Sequence, residues 1–175
     1  WASRLDVTPV PGVRAGAAFY LGEADHGFTA ASVPVTLWDV HGVFEYRGAE
    51  LRALYAEGRI GNADALNTAQ GITPASGNSI GSKLFGGYVE GAFNIFSLTQ
   101  RRDFLAPFAR YERYDTQAKT PGLWAKSPAN SRVEYTAGVC YKPLPQVAVK
   151  ADYQWLRNQA RTGVDQWNLG LAYIF

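Results

Sequence analysis

The closing stretch of the chain, Asp165-Gln-Trp-Asn-Leu-Gly-Leu-Ala-Tyr-Ile-Phe175, has a large apolar side chain at every second position from Trp167 onward. Successive side chains of a β-strand point to opposite faces, so Trp167, Leu169, Leu171, Tyr173 and Phe175 would share one face of a strand. The other face would carry smaller or polar residues. This stretch therefore predicts a strand with one apolar and one polar face.

The same period of two recurs along the whole chain, and helical spacing of apolar residues is nowhere sustained. A tilted strand of about ten residues is long enough to cross the apolar core of a bilayer. Strands are predicted at 3–9, 13–23, 35–47, 50–61, 83–95, 104–117, 132–142, 147–156 and 165–175.

The predicted connections alternate in length. Short turns fall at 10–12, 47–49, 97–103 and 142–146, and long polar loops fall at 23–34, 63–82, 117–130 and 157–164. Short periplasmic turns and longer outer loops are typical of outer-membrane barrels, which places Phe175 at the periplasmic rim. Aromatic residues near the strand ends are expected to form two interfacial girdles. Their predicted members are Tyr46, Phe96, Tyr141 and Phe175 at the periplasmic end, and Trp38, Tyr153, Trp155 and Trp167 nearer the outer end.

Composition excludes several classes of protein. The 175 residues are 47% hydrophobic and 14% aromatic, with a formal charge of +2 and no basic cluster, which argues against a nucleic-acid partner. The single cysteine, Cys140, excludes a disulfide framework and a thiolate metal site. No apolar run is long enough for a membrane-spanning helix. The chain opens on Trp1 without a signal-like segment, which suggests a processed chain or a piece of a longer one.

A soluble β-sandwich or lipocalin-like barrel shares the period of two, but its apolar face points inward. The polar face of this chain is dense in ionised groups, which are costly to bury in a small dry interior and suit a water-filled lumen. The sequence therefore predicts an all-β fold, a transmembrane antiparallel β-barrel with up-and-down meander topology. The predicted pore-lining residues are Arg14, Asp39, His41, Glu90, Arg110, Glu112, Arg132, Glu134, Lys150 and Asp152, with Arg4, Asp6, Glu45, Arg52 and Lys142 as further candidates.

The segment Trp167-Asn-Leu-Gly-Leu-Ala-Tyr-Ile-Phe175 resembles the C-terminal signature of Gram-negative outer-membrane proteins, which ends in Phe with alternate apolar residues upstream. This resemblance implies that Trp167, Leu169, Leu171, Tyr173 and Phe175 form an assembly signal. It also implies a bacterial outer-membrane location, with outer-membrane lipid and the barrel-assembly machinery as partners.

Other stretches resemble large bacterial porins, including the phosphate-selective-porin-like group. They are Arg4-Leu-Asp-Val-Thr-Pro-Val-Pro-Gly12, Gly87-Tyr-Val-Glu-Gly-Ala-Phe93, Leu105-Ala-Pro-Phe-Ala-Arg-Tyr-Glu-Arg-Tyr-Asp115 and Val149-Lys-Ala-Asp-Tyr-Gln-Trp155. The resemblance implies a porin that passes small hydrophilic solutes or ions, with a homotrimer as one expected assembly. It does not carry over phosphate selectivity, because the polar face has no excess of cations.

The strand count leaves two architectures open. Bacterial single-chain barrels have an even number of strands with both termini in the periplasm, whereas nine strands are predicted here. We therefore interpret residues 1–175 as one domain, a partial barrel of about nine strands belonging to a larger barrel of about 16 to 18. The alternative is a complete eight-stranded barrel with residues 1–9 as a periplasmic extension, serving an enzymatic or a structural, partner-binding role.

No residue pattern indicates bond chemistry, a metal or a cofactor. Asp39 and His41 share a strand face and could seed a hydrolytic dyad, but no nucleophile or third ligand accompanies them. The stretch Gly77-Asn-Ser-Ile-Gly-Ser-Lys83 departs from the phosphate-loop pattern in length and in the order of Ser and Lys. Cys140 is expected to be inert. The predicted function is a passive diffusion channel without enzymatic activity. For any single charged residue, the favoured interpretation is an ion pair that stiffens the wall.

Overall fold

The computed structural model of the chain describes residues 1–25, 27, 29–99 and 101–175. The described residues form nine strands, each with the period of two that the sequence shows. These are β1 (Ala2–Val10), β2 (Val13–Glu23), β3 (Pro34–Tyr46), β4 (Ala49–Ile60), β5 (Lys83–Phe93), β6 (Phe104–Lys119), β7 (Ser131–Leu144), β8 (Val147–Asn158) and β9 (Gln166–Tyr173).

All the strands belong to one sheet in the order of the chain, and each pairs antiparallel with the next. The predicted all-β antiparallel meander is confirmed. Within the described residues β1 pairs only with β2, and β9 pairs only with β8. The sheet is therefore open, with a free edge on either side.

Tight turns join the strands at one end of the sheet, which we call the turn end. Residues 11–12, 47–48 and 145–146 connect successive strands there. Arg47 and Gly48 both have positive φ, at 47° and 86°, as a type I′ hairpin turn requires. This turn fixes the register of β3 against β4, and therefore fixes which side chains share a face.

The fourth connection at the turn end, 94–103, is longer than predicted. β5 ends at Phe93, and Ile95–Leu98 form a single turn of 3₁₀ helix instead of continuing the strand. The side chain of Asn94 explains the break, because its Oδ1 accepts hydrogen bonds from the amides of Phe96 and Leu105, both at 3.2 Å. Ile95, the last residue of the predicted strand 83–95, lies in that helix.

The longer connections 24–33, 61–82, 120–130 and 159–165 lie at the opposite end, which we call the loop end. The connection 61–82, predicted as an irregular loop, contains helix α1 (Ala63–Ala69). Val33, Leu66 and Asn67 are buried in these connections, and Asn67 bonds both the amide and the carbonyl of Ile80, at 2.7 and 3.1 Å. The two fully buried side chains among the described residues, Val33 and Asn67, thus belong to the connections and not to the strands.

Candidate functional site

The register places all ten predicted pore-lining residues on one face of the sheet, which we call the polar face. One row of directly paired positions runs Arg14–Val43–Arg52–Glu90–Arg110 across β2 to β6. The further candidates Arg4, Asp6, Glu45 and Lys142 share that face by the same register. These residues therefore share one face of the sheet, and their role in lining a pore stays a prediction.

The two faces differ in exposure in the opposite sense to a soluble sandwich. On the apolar face Leu169 and Leu171 are 82% and 77% exposed, and on the polar face Asp152 and Thr136 are only 6% and 8% exposed. Soluble proteins seldom expose contiguous apolar patches of this extent. The apolar face therefore carries large exposed side chains, whereas some polar side chains on the other face are buried.

Most charges on the polar face form ion pairs with the residue two positions away on the same strand. Arg110 Nη2 lies 2.7 Å from Glu112 Oε2, Arg4 Nε lies 2.6 Å from Asp6 Oδ2, and Lys150 Nζ lies 3.7 Å from Asp152 Oδ2. Arg52 pairs with Glu50, a residue that sequence reasoning did not single out. The alternation of polar positions in β4 was the signal that could have found it.

The predicted neighbours Arg132 and Glu134 interact through a third residue. The hydroxyl of Tyr114 donates to Glu134 Oε1 at 2.7 Å and accepts from Arg132 Nη1 at 3.4 Å. Tyr114 was also missed from the sequence, although it lies four residues after Arg110 and so falls on the same strand face. The Tyr114 hydroxyl thus bridges the side chains of Arg132 and Glu134 by hydrogen bonds.

Aromatic rings on the polar face support several of its cations. The guanidinium of Arg110 lies 3.8 Å from the centroid of Tyr88, and the ammonium of Lys150 lies 4.4 Å from that of Phe108. Lys142 lies 4.9 Å from the ring of Phe104. Each contact positions a cation without neutralising it, since a ring attracts a cation through its quadrupole and carries no net charge.

Charge alternates from one row of paired positions to the next. The row through Arg14, Arg52, Glu90 and Arg110 has an excess of basic residues. The adjoining row toward the loop end runs from Asp6 through His41, Leu54 and Tyr88 to Glu112 and Glu134, and its carboxylates have no lysine or arginine in the same row. Positive and negative charges therefore alternate between successive rows across the sheet, as they do between paired residues of a single strand.

His41 lies in a closed cluster near the edge of the sheet. Its Nδ1 is 2.7 Å from Asp39 Oδ1, and its Nε2 is 2.8 Å from Asp6 Oδ1, which Arg4 Nη2 also contacts at 3.0 Å. Gly16 makes room for this contact, because a Cβ there would be 2.5 Å from His41 Nε2. Both ring nitrogens are occupied by carboxylates, so the cluster presents neither a nucleophile nor a free base to a substrate.

The other motifs considered in the sequence are a metal site, Cys140 and the stretch that partly matches a phosphate loop. Among the described residues no group of three or more His, Cys, Asp and Glu side chains could hold a metal ion. Cys140 is a half-buried free thiol on the polar face. In the stretch that partly matches a phosphate loop, Lys83 starts β5 and binds Glu57 at 2.8 Å. A strand begins at Lys83, where a phosphate loop requires a helix.

The residues of the predicted assembly signal lie along the free edge. Trp167, Leu169, Leu171 and Tyr173 are on the apolar face of β9 and are exposed. Phe175 lies beyond the strand, which ends at Tyr173, although the amide of Ile174 still donates to the carbonyl of Gln146 at 2.9 Å. The alternation in this segment is therefore present as predicted, over a shorter strand.

Comparison with known proteins adds one relative. A protein of Aquifex aeolicus (strain VF5), described as an uncharacterized protein, is 27% identical over 145 residues, which cover 81% of this chain and 33% of that protein. The chain thus spans about a third of the length of the relative it matches. No family model matches the chain, and no solved structure matches it. In the part of the chain that the structure describes, every helix is too short or too polar to span a bilayer.

Proposed function

We propose that this chain forms part of the wall of an outer-membrane β-barrel and that its polar face lines a water-filled channel for small hydrophilic solutes or ions. The observation that carries the proposal is the inverted distribution of exposure, with apolar side chains outward and ion pairs on the shielded face. Lipid satisfies an exposed apolar face, and water in a lumen satisfies the charges that remain.

The ion pairs support a passive channel in preference to a catalyst. In three of the named pairs both side chains remain partly hydrated, as in Arg110 and Glu112 with 31% and 30% of their side chains exposed, and in the fourth Lys150 is 49% exposed although Asp152 is buried. Hydrated pairs of this kind contribute little to stability, so the wall can present both signs to a passing solute without holding it. We propose that no bond chemistry takes place on this face.

Interleaved rows of opposite sign favour weak ion selectivity. Strands in outer-membrane barrels tilt by about 35–45°, so rows that run perpendicular to the strands wind around the lumen as spirals. Each cross-section of the channel then cuts rows of both signs. Their fields largely cancel, and salt screens the remainder within about 10 Å at 0.1 M.

The free edges of β1 and β9 support a partial barrel in place of the eight-stranded alternative. β1 pairs with β2 in continuous register from Ala2 to Val7 and, after a register shift, again at Val10. Residues 2–10 are thus a strand of the sheet, and the described residues contain no pairing of β9 with β1 or β2. An unpaired edge cannot remain in lipid, because its amides and carbonyls lack partners there. We propose that further strands of the complete protein close the barrel.

Reconstitution tests this proposal directly. The full-length protein is folded into phospholipid vesicles, and their swelling in iso-osmotic solutions of sugars of increasing size is recorded. We expect swelling that falls off with solute size, as a water-filled channel of fixed width requires. A protein that stays monomeric and soluble without detergent, and leaves vesicles impermeable, would contradict the proposal.

A further inference from the structure

A groove crosses the apolar face over strands β3 to β6. Its volume is about 600 Å³, and its walls include Val40, Tyr55, Phe85 and Tyr111. The rings of Tyr55 and Phe85 stack with centroids 6.4 Å apart at an interplanar angle of 25°, which gives one wall a rigid aromatic surface.

Small residues form the floor of this groove. Gly42 and Ala53 are directly paired on β3 and β4, and Gly87 lies on β5 in the next row. A Cβ built on Gly42 would come no closer than 3.6 Å to any atom, the backbone oxygen of Arg14, so the space above this residue is open. The groove therefore arises from missing side chains in the middle of an otherwise bulky surface.

Arg113 lies at the end of the groove nearer the loop end. It is exposed on the apolar face, and among the described residues it has no carboxylate partner. Its guanidinium carbon lies 5.9 Å from the centroid of the Phe85 ring. The next row toward the loop end holds Glu57 and Asp115, which bind Lys83 at 2.8 Å and Lys126 at 2.6 Å. The uninterrupted apolar band thus ends at Arg113.

We propose that this groove binds an acyl chain of a phosphorylated glycolipid of the lipid A type, with a lipid phosphate on the guanidinium of Arg113. An unpaired arginine at the boundary of an apolar band calls for an anion, and its planar fork fits the oxygens of a phosphate. The aromatic walls and the floor of small residues suit a flexible hydrocarbon chain, which would bury apolar surface in the groove.

The choice of glycolipid follows from orientation and rests on the proposed function. In an outer-membrane barrel the long loops face outward, so Arg113 and the loop end would lie in the outer leaflet. Phosphorylated, acylated sugars provide the anionic groups there. An anionic phospholipid offers the same phosphate and acyl chemistry, and the experiment separates the two.

The test compares four variants of the full-length protein in detergent micelles, with bound lipid counted by native mass spectrometry. Arg113→Gln removes the cation, and Gly42→Leu fills the groove. Arg157→Gln is matched to the first, since Arg157 lies on the same face but already pairs with Asp165. Gly91→Leu is matched to the second, because Gly91 has equally open space on the apolar face outside the groove.

Bisphosphorylated lipid A is the probe, with its dephosphorylated form and phosphatidylglycerol as comparisons. We expect Arg113→Gln and Gly42→Leu each to weaken lipid A retention about tenfold or more, as loss of one charge-assisted contact would, while both matched variants retain it. Equal retention by all four variants would overturn the proposal, and equal binding of phosphatidylglycerol would overturn the choice of lipid. A wild-type protein that fails to enter vesicles at all would instead refute the proposed barrel.

Discussion

Placing a charge at Leu171 separates a lipid-facing sheet from a water-facing one. Leu171 is 77% exposed on the apolar face of β9, between Trp167 and Tyr173. If that face meets water, Leu171→Arg is a surface change and should alter the free energy of unfolding by at most about 0.5 kcal/mol. If it meets lipid near the bilayer centre, the same change should cost about 2–4 kcal/mol.

The control is Gln154→Arg, on the polar face of the neighbouring strand, where Gln154 accepts a hydrogen bond from Gln166 at 2.6 Å. A lumen would tolerate that charge. The full-length protein would be unfolded from phospholipid vesicles in urea and followed by tryptophan fluorescence. A loss of 2–4 kcal/mol corresponds to a roughly 30- to 900-fold shift in the folding equilibrium. If Leu171→Arg left the free energy of unfolding nearly unchanged while Gln154→Arg lowered it strongly, the assignment of the apolar face to lipid and the polar face to the lumen would be wrong.

Three further outcomes are expected. In planar bilayers under a salt gradient, the reversal potential should stay close to zero, because rows of opposite sign interleave; near-ideal anion or cation selectivity would refute the cancellation argument. Gly16→Ala should lower the free energy of unfolding by about 1–3 kcal/mol through the clash with His41, while Gly91→Ala, with open space at its Cβ, should be nearly neutral in the same denaturation assay. The guanidinium of Arg157 lowers the pKa of Asp165, so the stabilisation from this pair is full above the ordinary aspartate pKa and is lost as the pH falls through the lowered value. The Leu156 amide donates to Asp165, so its protection factor, the exchange rate of an unprotected amide divided by its own rate at the same pH, should be high at neutral pH and fall in acid. Arg157→Gln should move that fall to higher pH. An unchanged transition in Arg157→Gln would show that the ion pair does not set it.

Local pattern was enough to predict the strands and the residues that share a face. The alternation around Val149 and Lys150, or around Tyr111 and Arg110, depends only on the period of two, which holds for any strand. Boundaries were predictable only where a turn residue marks them, as at Arg47-Gly48. The end of β5 was not, because the side chain of Asn94 caps a 3₁₀ turn that competes with continuation of the strand.

What a residue contacts across strands depended on the register and therefore on the tertiary structure. The sequence placed Arg132 two positions from Glu134, but the hydroxyl that links them comes from Tyr114 on another strand. In the same way, Asp6 meets His41 only because β1, β2 and β3 align over Gly16. The groove beside Arg113 also needs four aligned strands, because its small residues become neighbours only when the register sets them side by side. The sequence of one strand does not show which residues lie next to it on the adjacent strands. Period and polarity are properties of one strand, whereas a site is a property of the alignment between strands.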